Sequence, residues 1–195
     1  MARWEPDARE RLADAALALF SEQGYEAVTV TQITERAGLT RASYFRYFAD
    51  KREAAFAGQD LLVDLIRQVI ADAPETAGPR DLLDAALDAV AVAFTPERHA
   101  HAAIRQAIID ANPELRERLT AKRAAIAEAF TAALLDRGLP TPTAQVAGQL
   151  GQLAFTTASQ RWTAAPDGTG FAAYARSALD AAVTAAADFL PARAG

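Results

Sequence analysis

One residue in four of this chain is alanine, 50 of 195, against 15 for valine and isoleucine together. Alanine is the strongest helix former, whereas strands prefer β-branched and aromatic side chains, so the ratio favours an all-helical fold. There is no sustained apolar/polar alternation and no Asn-Gly or Asp-Gly pair between strand-like runs. Asp167-Gly168 lies between two helical patterns. The length fits one compact polypeptide or two small subdomains sharing a core. The absence of Cys removes disulfides, thiolate nucleophiles and Cys-ligated metal centres, and two His leave little for a His-rich metal site. The start, Met1 to Asp7, carries acids and lacks an apolar stretch, unlike a secretory signal. No run approaches about 18 uninterrupted apolar residues. A cytoplasmic protein without metal or cofactor is expected.

Punctuation by Gly, Pro and capping residues divides the chain into about nine helices. The first runs from about Pro6 to Gln23, with Leu12, Ala15, Ala16, Leu19 and Phe20 on one stripe and Gly24 as its stop. Thr29-Val30-Thr31-Gln32 reads as a capping box opening a short second helix that ends at Gly38. Thr40 caps a third of about six residues, and Asp50-Lys51-Arg52-Glu53 is a second capping box, opening a long fourth helix to about Asp72. Five more follow: Asp81 to Phe94, Pro96 to Asn112, Pro113 to Arg137, Thr143 to Ala164 and Phe171 to Leu190. Pro191 to Gly195 is expected to fray. The result is a three-helix head over residues 1–50 and a larger helical body over residues 51–195.

The head has the spacing of a helix-turn-helix. Gly38 takes the turn, and Ile33, Ala37, Leu39 and Phe45 are expected to pin the third helix onto the second. Small residues at Ala42 and Ser43 would let a helix start approach a DNA groove closely. Charge points the same way. The whole chain carries −5, but residues 36–52 hold Arg36, Arg41, Arg46, Lys51 and Arg52 against Asp50 alone. Residues 1–35 hold three basic against seven acidic side chains, and residues 53–195 twelve against seventeen, so one short segment is the only strongly basic strip. Thr40, Ser43, Tyr44 and Tyr47 interleave it with hydroxyls of the kind that contact phosphates.

The stretch from Phe20-Ser21-Glu22-Gln23-Gly24-Tyr25 through Thr29 to Thr40 and on to Tyr44-Phe45-Arg46-Tyr47-Phe48-Ala49-Asp50-Lys51-Arg52-Glu53 resembles the N-terminal signature of TetR-family transcriptional regulators. One departure is Tyr47, where the family often has His. The resemblance covers the first quarter of the chain. It implies a homodimeric repressor that binds double-stranded, palindromic operator DNA and is released by a small, lipophilic effector. By position it places Arg41, Ala42 and Ser43 at base edges, with Arg41 facing a guanine, and Thr29, Thr31, Thr40, Tyr44, Tyr47 and Lys51 at phosphates. Phe20, Ile33, Ala37, Leu39, Phe45 and Phe48 are expected in the head core.

For the body, the resemblance implies dimerisation through the last two long helices, about 143–164 and 171–190. The first offers Ala144, Ala147, Gly148, Gly151 and Ala154 near one side, with Leu150, Leu153 and Phe155 adding bulk. The second offers Ala175, Ala178, Leu179, Ala182, Val183, Ala186 and Phe189. Ordinary intrachain core is the competing reading of both. A ligand pocket is expected among Phe94, His101, Arg105, Gln106, Phe130, Gln152, Phe155 and Trp162, with His99 and Gln160 as further polar candidates. His99 and His101, two apart on a helix, point about 200° apart and cannot chelate one metal. No Gly-rich phosphate loop, His-Glu-x-x-His or Gly-x-Ser-x-Gly supplies a named reaction, so no enzyme is expected.

Overall fold

Alanine-rich runs bounded by Pro, Gly and hydroxyl caps fold into ten helices in a computed structural model that describes residues 8–165 and 169–188. They are α1 (Ala8–Gln23), α2 (Val30–Ala37), α3 (Arg41–Tyr47), α4 (Lys51–Ala55), α5 (Gln59–Asp72), α6 (Pro79–Ala91), α7 (Pro96–Ala111), α8 (Pro113–Asp136), α9 (Thr141–Ala164) and α10 (Phe171–Asp188). No strand occurs among the described residues. The expected helix start at Pro6, the Asp167-Gly168 turn, Phe189 and the tail from Pro191 lie outside the described residues.

The long fourth helix expected from Asp50 to Asp72 is two helices. Phe56 leaves the helical conformation and Gly58 adopts φ +92°, a left-handed value that ends α4 before α5 begins. A single glycine inside a helical pattern is tolerated at about 1 kcal/mol, which is why the pattern reads as continuous in the sequence.

The chain forms two compact units, residues 1–60 with 100–120, and residues 61–99 with 121–195. The first unit therefore joins to the head a stretch that the sequence reading gave to the body. Its core gathers Leu12, Ala16, Phe20, Val28, Ile33, Tyr44 and Phe48 from the head with Ile108, Ile109 and Leu115. In the second unit α6, α9 and α10 pack on one another, with Leu82, Leu87, Phe171, Ala175 and Leu179 buried between them. Arg137, just past α8, donates to the carbonyls of Ala73 and Pro74 at 2.6 Å each, satisfying acceptors beyond the end of α5.

The stripe of small residues on α9 faces inward. Ala144 and Ala154 are fully buried, and a Cβ on Gly148 would lie 2.1 Å from Thr131 Oγ1 and 3.0 Å from the Ala127 carbonyl. The helix that approaches closely there is α8 of the same chain, so Ala144, Ala147, Gly148, Gly151 and Ala154 are intrachain core. Ala175, Ala178 and Leu179 of α10 are likewise buried.

Candidate nucleic-acid interface

Three local devices shape the head. Thr29 caps α2 as read from the sequence: its hydroxyl accepts from the Gln32 amide at 3.3 Å while the Thr29 amide donates to Gln32 Oε1 at 2.8 Å. Gly38, at φ +66°, lets the Leu39 amide reach back to the Thr34 carbonyl at 2.9 Å and turns the chain toward α3. Thr40 then caps α3, accepting from the Ser43 amide at 3.1 Å. Two arginines tie this motif to α1. Arg11 donates to the Ala37 carbonyl at the turn, and Arg36 forms a fork on the Glu22 carboxylate at 2.5 and 2.7 Å. The Arg36 bonds hold the Glu22 carboxyl below the usual carboxylate range.

On this frame α3 presents Arg41, Ala42, Phe45, Arg46 and Tyr47 to solvent. Arg41 Nη1 donates to Thr31 Oγ1 at 3.0 Å, and its guanidinium lies 5.9 Å from the centre of the Phe45 ring. Thr31 is thus Arg41's partner across the motif. Thr29, Thr40 and Ser43 are engaged in capping, with the Thr40 and Ser43 hydroxyls 3.0 Å apart.

Two aromatic placements reverse the expectation. Phe45, read as core, is 49% exposed, whereas Tyr44, read as a phosphate contact, is fully buried and its hydroxyl donates to the Asp50 carbonyl at 3.1 Å. The two residues are adjacent on a short helix, so only one can point inward. The phenol wins because the Asp50 carbonyl gives its buried hydroxyl a partner. Burial, with the charges of Asp50 and Glu53, pushes the Tyr44 phenol well up.

Lys51 also turns inward. Its ammonium donates to the Tyr25 carbonyl at 2.8 Å and the Glu26 carbonyl at 3.4 Å, and sits 4.1 Å from the Tyr25 ring centre. Asp50 caps α4 through the Glu53 amide at 3.1 Å and accepts from Arg52. The reciprocal half of that capping box is replaced: Glu53 pairs with Arg118 instead. Tyr25, buried beside this cluster, donates to Glu114 Oε1 at 3.1 Å, and Arg52 Nε lies 3.6 Å from the same oxygen. No sequence pattern signalled these contacts, because Glu114 and Arg118 are more than sixty residues from their partners.

The expected pocket residues divide between the two units. In the second, Phe94 stacks on Phe171 at 3.8 Å and meets Trp162 edge-on at 5.2 Å, with Phe155 6.0 Å away. Phe171, absent from the expected wall, is its centre. His99 Nε2 donates to the Trp162 carbonyl at 2.7 Å. Phe130 is fully buried against Gly151, and Gln152 donates to Thr156 on its own helix. In the first unit His101 is exposed, 3.9 Å from Asp14, and Gln106 donates to Asp110 one turn on. Arg105 is half-buried in that unit. An open groove of about 530 Å³ in the first unit is lined by Phe20, Tyr25, Ile104, Ile108 and Asn112 among others, none of them an expected pocket residue.

Comparison with known proteins agrees with the geometry of the head. Residues 12–56 match the family model described as bacterial regulatory proteins, tetR family. The transcriptional repressor AcnR of Corynebacterium diphtheriae is 30% identical over 113 residues, 56% of this chain and 54% of AcnR. The regulator BetI of Rhizobium meliloti is 34% identical over 101 residues, 52% of this chain and 42% of BetI. The chain thus spans about half the length of the curated relatives it matches. Over nearly its whole length the fold is similar to that of SmeT, the repressor of a Stenotrophomonas maltophilia multidrug efflux pump, solved as a complex with triclosan. That likeness has TM-score 0.62 and 19% identity and covers 96% of this chain and 97% of the SmeT chain. Residues 12–56, folded as a helix-turn-helix head, are thus similar to the N-terminal part of the bacterial regulatory proteins of the tetR family, and the fold of the chain is similar to that of SmeT.

Proposed function

We propose that the chain is a cytoplasmic homodimeric repressor that holds a palindromic operator through α3 and its surroundings and releases it when a small lipophilic molecule occupies the helical body. The observation that carries the reading is the exposed face of α3. Arg41, Ala42, Phe45 and Arg46 stand in solvent on a seven-residue helix fixed by its cap, by the Gly38 turn and by Arg11 and Arg36. A helix so fixed at the middle of the basic strip suits entry into a major groove. The functional division of a head at residues 1–50 and a body at 51–195 belongs to this reading.

Base edges fall to Arg41, Ala42 and Ser43, and phosphates to Thr29, Thr31, Thr40, Tyr47 and Lys51. Tyr44 supports from within. For dimerisation, the outward side of α9 offers Val146 and Leu153, 58% and 50% exposed, with Leu150 half-buried between them, and α10 adds Val183. Isolated exposed apolar residues are ordinary, but three along one side of a long helix suit a two-fold contact. For the effector, SmeT has been solved with triclosan and a FadR from Thermus thermophilus with lauroyl-CoA. The half-buried Phe94, packed on the buried Trp162 and Phe171, offers aromatic chemistry suited to such molecules. None of the described helices is long and apolar enough to cross a membrane.

The test is titration of the purified chain against duplex DNA flanking its own gene, at fixed salt, with unrelated duplex as control. Selective binding, weakened by triclosan or lauroyl-CoA as probes, supports the reading. Equal affinity for both duplexes overturns it.

A further inference from the structure

Phe45 and Thr31 have a relation to Arg41 that mere surface placement does not require. Single exposed hydrophobics are common, but Phe45 lies one turn from Arg41 on the face of α3 turned to solvent, and its ring is held in place. The buried Tyr44 meets it edge-on at 5.5 Å, and the Arg41 guanidinium rests 5.9 Å from its centre. Thr31 Oγ1 takes one Arg41 N–H at 3.0 Å, engaging Nη1 while Nη2 and Nε remain for a ligand. A free arginine loses considerable rotamer freedom on binding, and one held at two points has already lost part of it.

We propose that Thr31, Arg41 and Phe45 form one reading unit, in which Thr31 and Phe45 orient the Arg41 fork toward a guanine and Phe45 meets the methyl group of the thymine beside it. The inference rests on the DNA-binding reading of the head. Guanine O6 and N7 match an arginine fork, and the thymine methyl is the apolar mark that the major groove displays. Side chains one helical turn apart stand about 5–6 Å from each other, close enough to address neighbouring base pairs. Thr31 and Phe45 are positioning residues toward Arg41, and Phe45 is in addition a contact of its own.

The probe is a pool of random-sequence duplexes, from which the wild-type chain selects a site. The expected half-site contains guanine next to thymine. Replacing that thymine by deoxyuridine removes one methyl group and weakens wild-type binding about fourfold. The same replacement leaves Phe45→Ala unaffected, while Phe45→Leu retains part of the penalty. Thr31→Val lowers discrimination for the guanine, and Thr31→Ser restores it. A deoxyuridine penalty equal in wild type and Phe45→Ala overturns the inference, as does a selected site without the guanine–thymine neighbours. If no site is selected by any variant, the DNA-binding reading itself falls and takes this one with it.

Discussion

At Lys51 a single ammonium closes the loop between α1 and α2 onto α4, through two carbonyls and one aromatic face. A charged hydrogen bond of this kind contributes more than a neutral one, and a cation over a ring adds to it. Lys51→Met is therefore expected to lower the unfolding free energy by about 1–2 kcal/mol, read from urea unfolding at neutral pH. An unchanged midpoint would mean that the ammonium is not anchored inside the head. The neighbouring ionisable groups set the pH range of the same unit. Burial, reinforced by the Glu114 hydrogen bond, pushes the Tyr25 phenol above its ordinary 10.0, as burial and the nearby acids do for Tyr44. The unfolded chain loses these protons first, so their contribution is full below about pH 10 and falls as the pH rises past it. Asp50 goes the other way. Burial raises its carboxyl, but the bonds from Arg52 and the Glu53 amide outweigh this and hold it below its ordinary 3.8. Its contribution is present above that value and lost as the pH falls further. The urea midpoint is expected to be flat between about pH 4 and pH 10 and to decline on both sides, with Tyr25→Phe and Tyr44→Phe reducing the alkaline decline.

Two glycines separate what an element's sequence states from what its neighbours decide. Gly58 has φ +92° and open space around its missing Cβ, so Gly58→Ala costs backbone strain alone, about 1 kcal/mol. Gly148 is helical, but its Cβ would meet Thr131 Oγ1 and two backbone atoms of α8, so Gly148→Ala costs about 1–3 kcal/mol by overpacking. Thr131→Ala in the same chain recovers only part, because the Ala127 carbonyl remains 3.0 Å away. Thermal unfolding of the three variants orders these costs, and full recovery in the double variant would contradict the close α8–α9 approach. The same contrast explains which elements were legible. The caps at Thr29, Thr40 and Asp50 and the turn at Gly38 are made by residues within a few positions of one another, so their spacing alone announces them. Helical periodicity groups Ala144, Ala147, Gly148 and Ala154 on one side of α9, yet a second chain and α8 would both accept that side. At Tyr44 and Phe45 periodicity failed for a related reason: in seven residues two adjacent aromatics compete for one inward position, and the Asp50 carbonyl, beyond the end of the helix, decides.

Across the whole molecule, the net charge of −5 conceals a strip whose usable charge is smaller than its composition. Arg36 is neutralised by Glu22 and Arg52 by Asp50. Among the described residues, Arg41, Arg46 and Lys51 are the members of the strip not paired with a carboxylate. Lys51 is drawn toward carbonyls, which leaves it charged. On the DNA-binding reading Arg41 faces a base, so Arg46 and Lys51 leave about two cationic phosphate contacts per head, which makes a weak binder, since each released counterion contributes modestly at physiological salt. In the proposed dimer, two heads on one duplex would give about twice the contacts, with the second engaging at an effective concentration set by the dimer. The slope of log affinity against log salt is about −0.9 per neutralised phosphate, so an intact dimer should show a slope of about −4. Leu153→Glu places a charge on the exposed side of α9 and changes no residue of the head, so it is expected to yield monomers in sedimentation while the helix-turn-helix stays folded. Its salt slope should fall to about half the wild-type value, and its affinity by more than the loss of half the contacts explains. Monomers that keep the full slope would mean that one head makes all the contacts, and dimers that survive Leu153→Glu would move the interface off the outward side of α9.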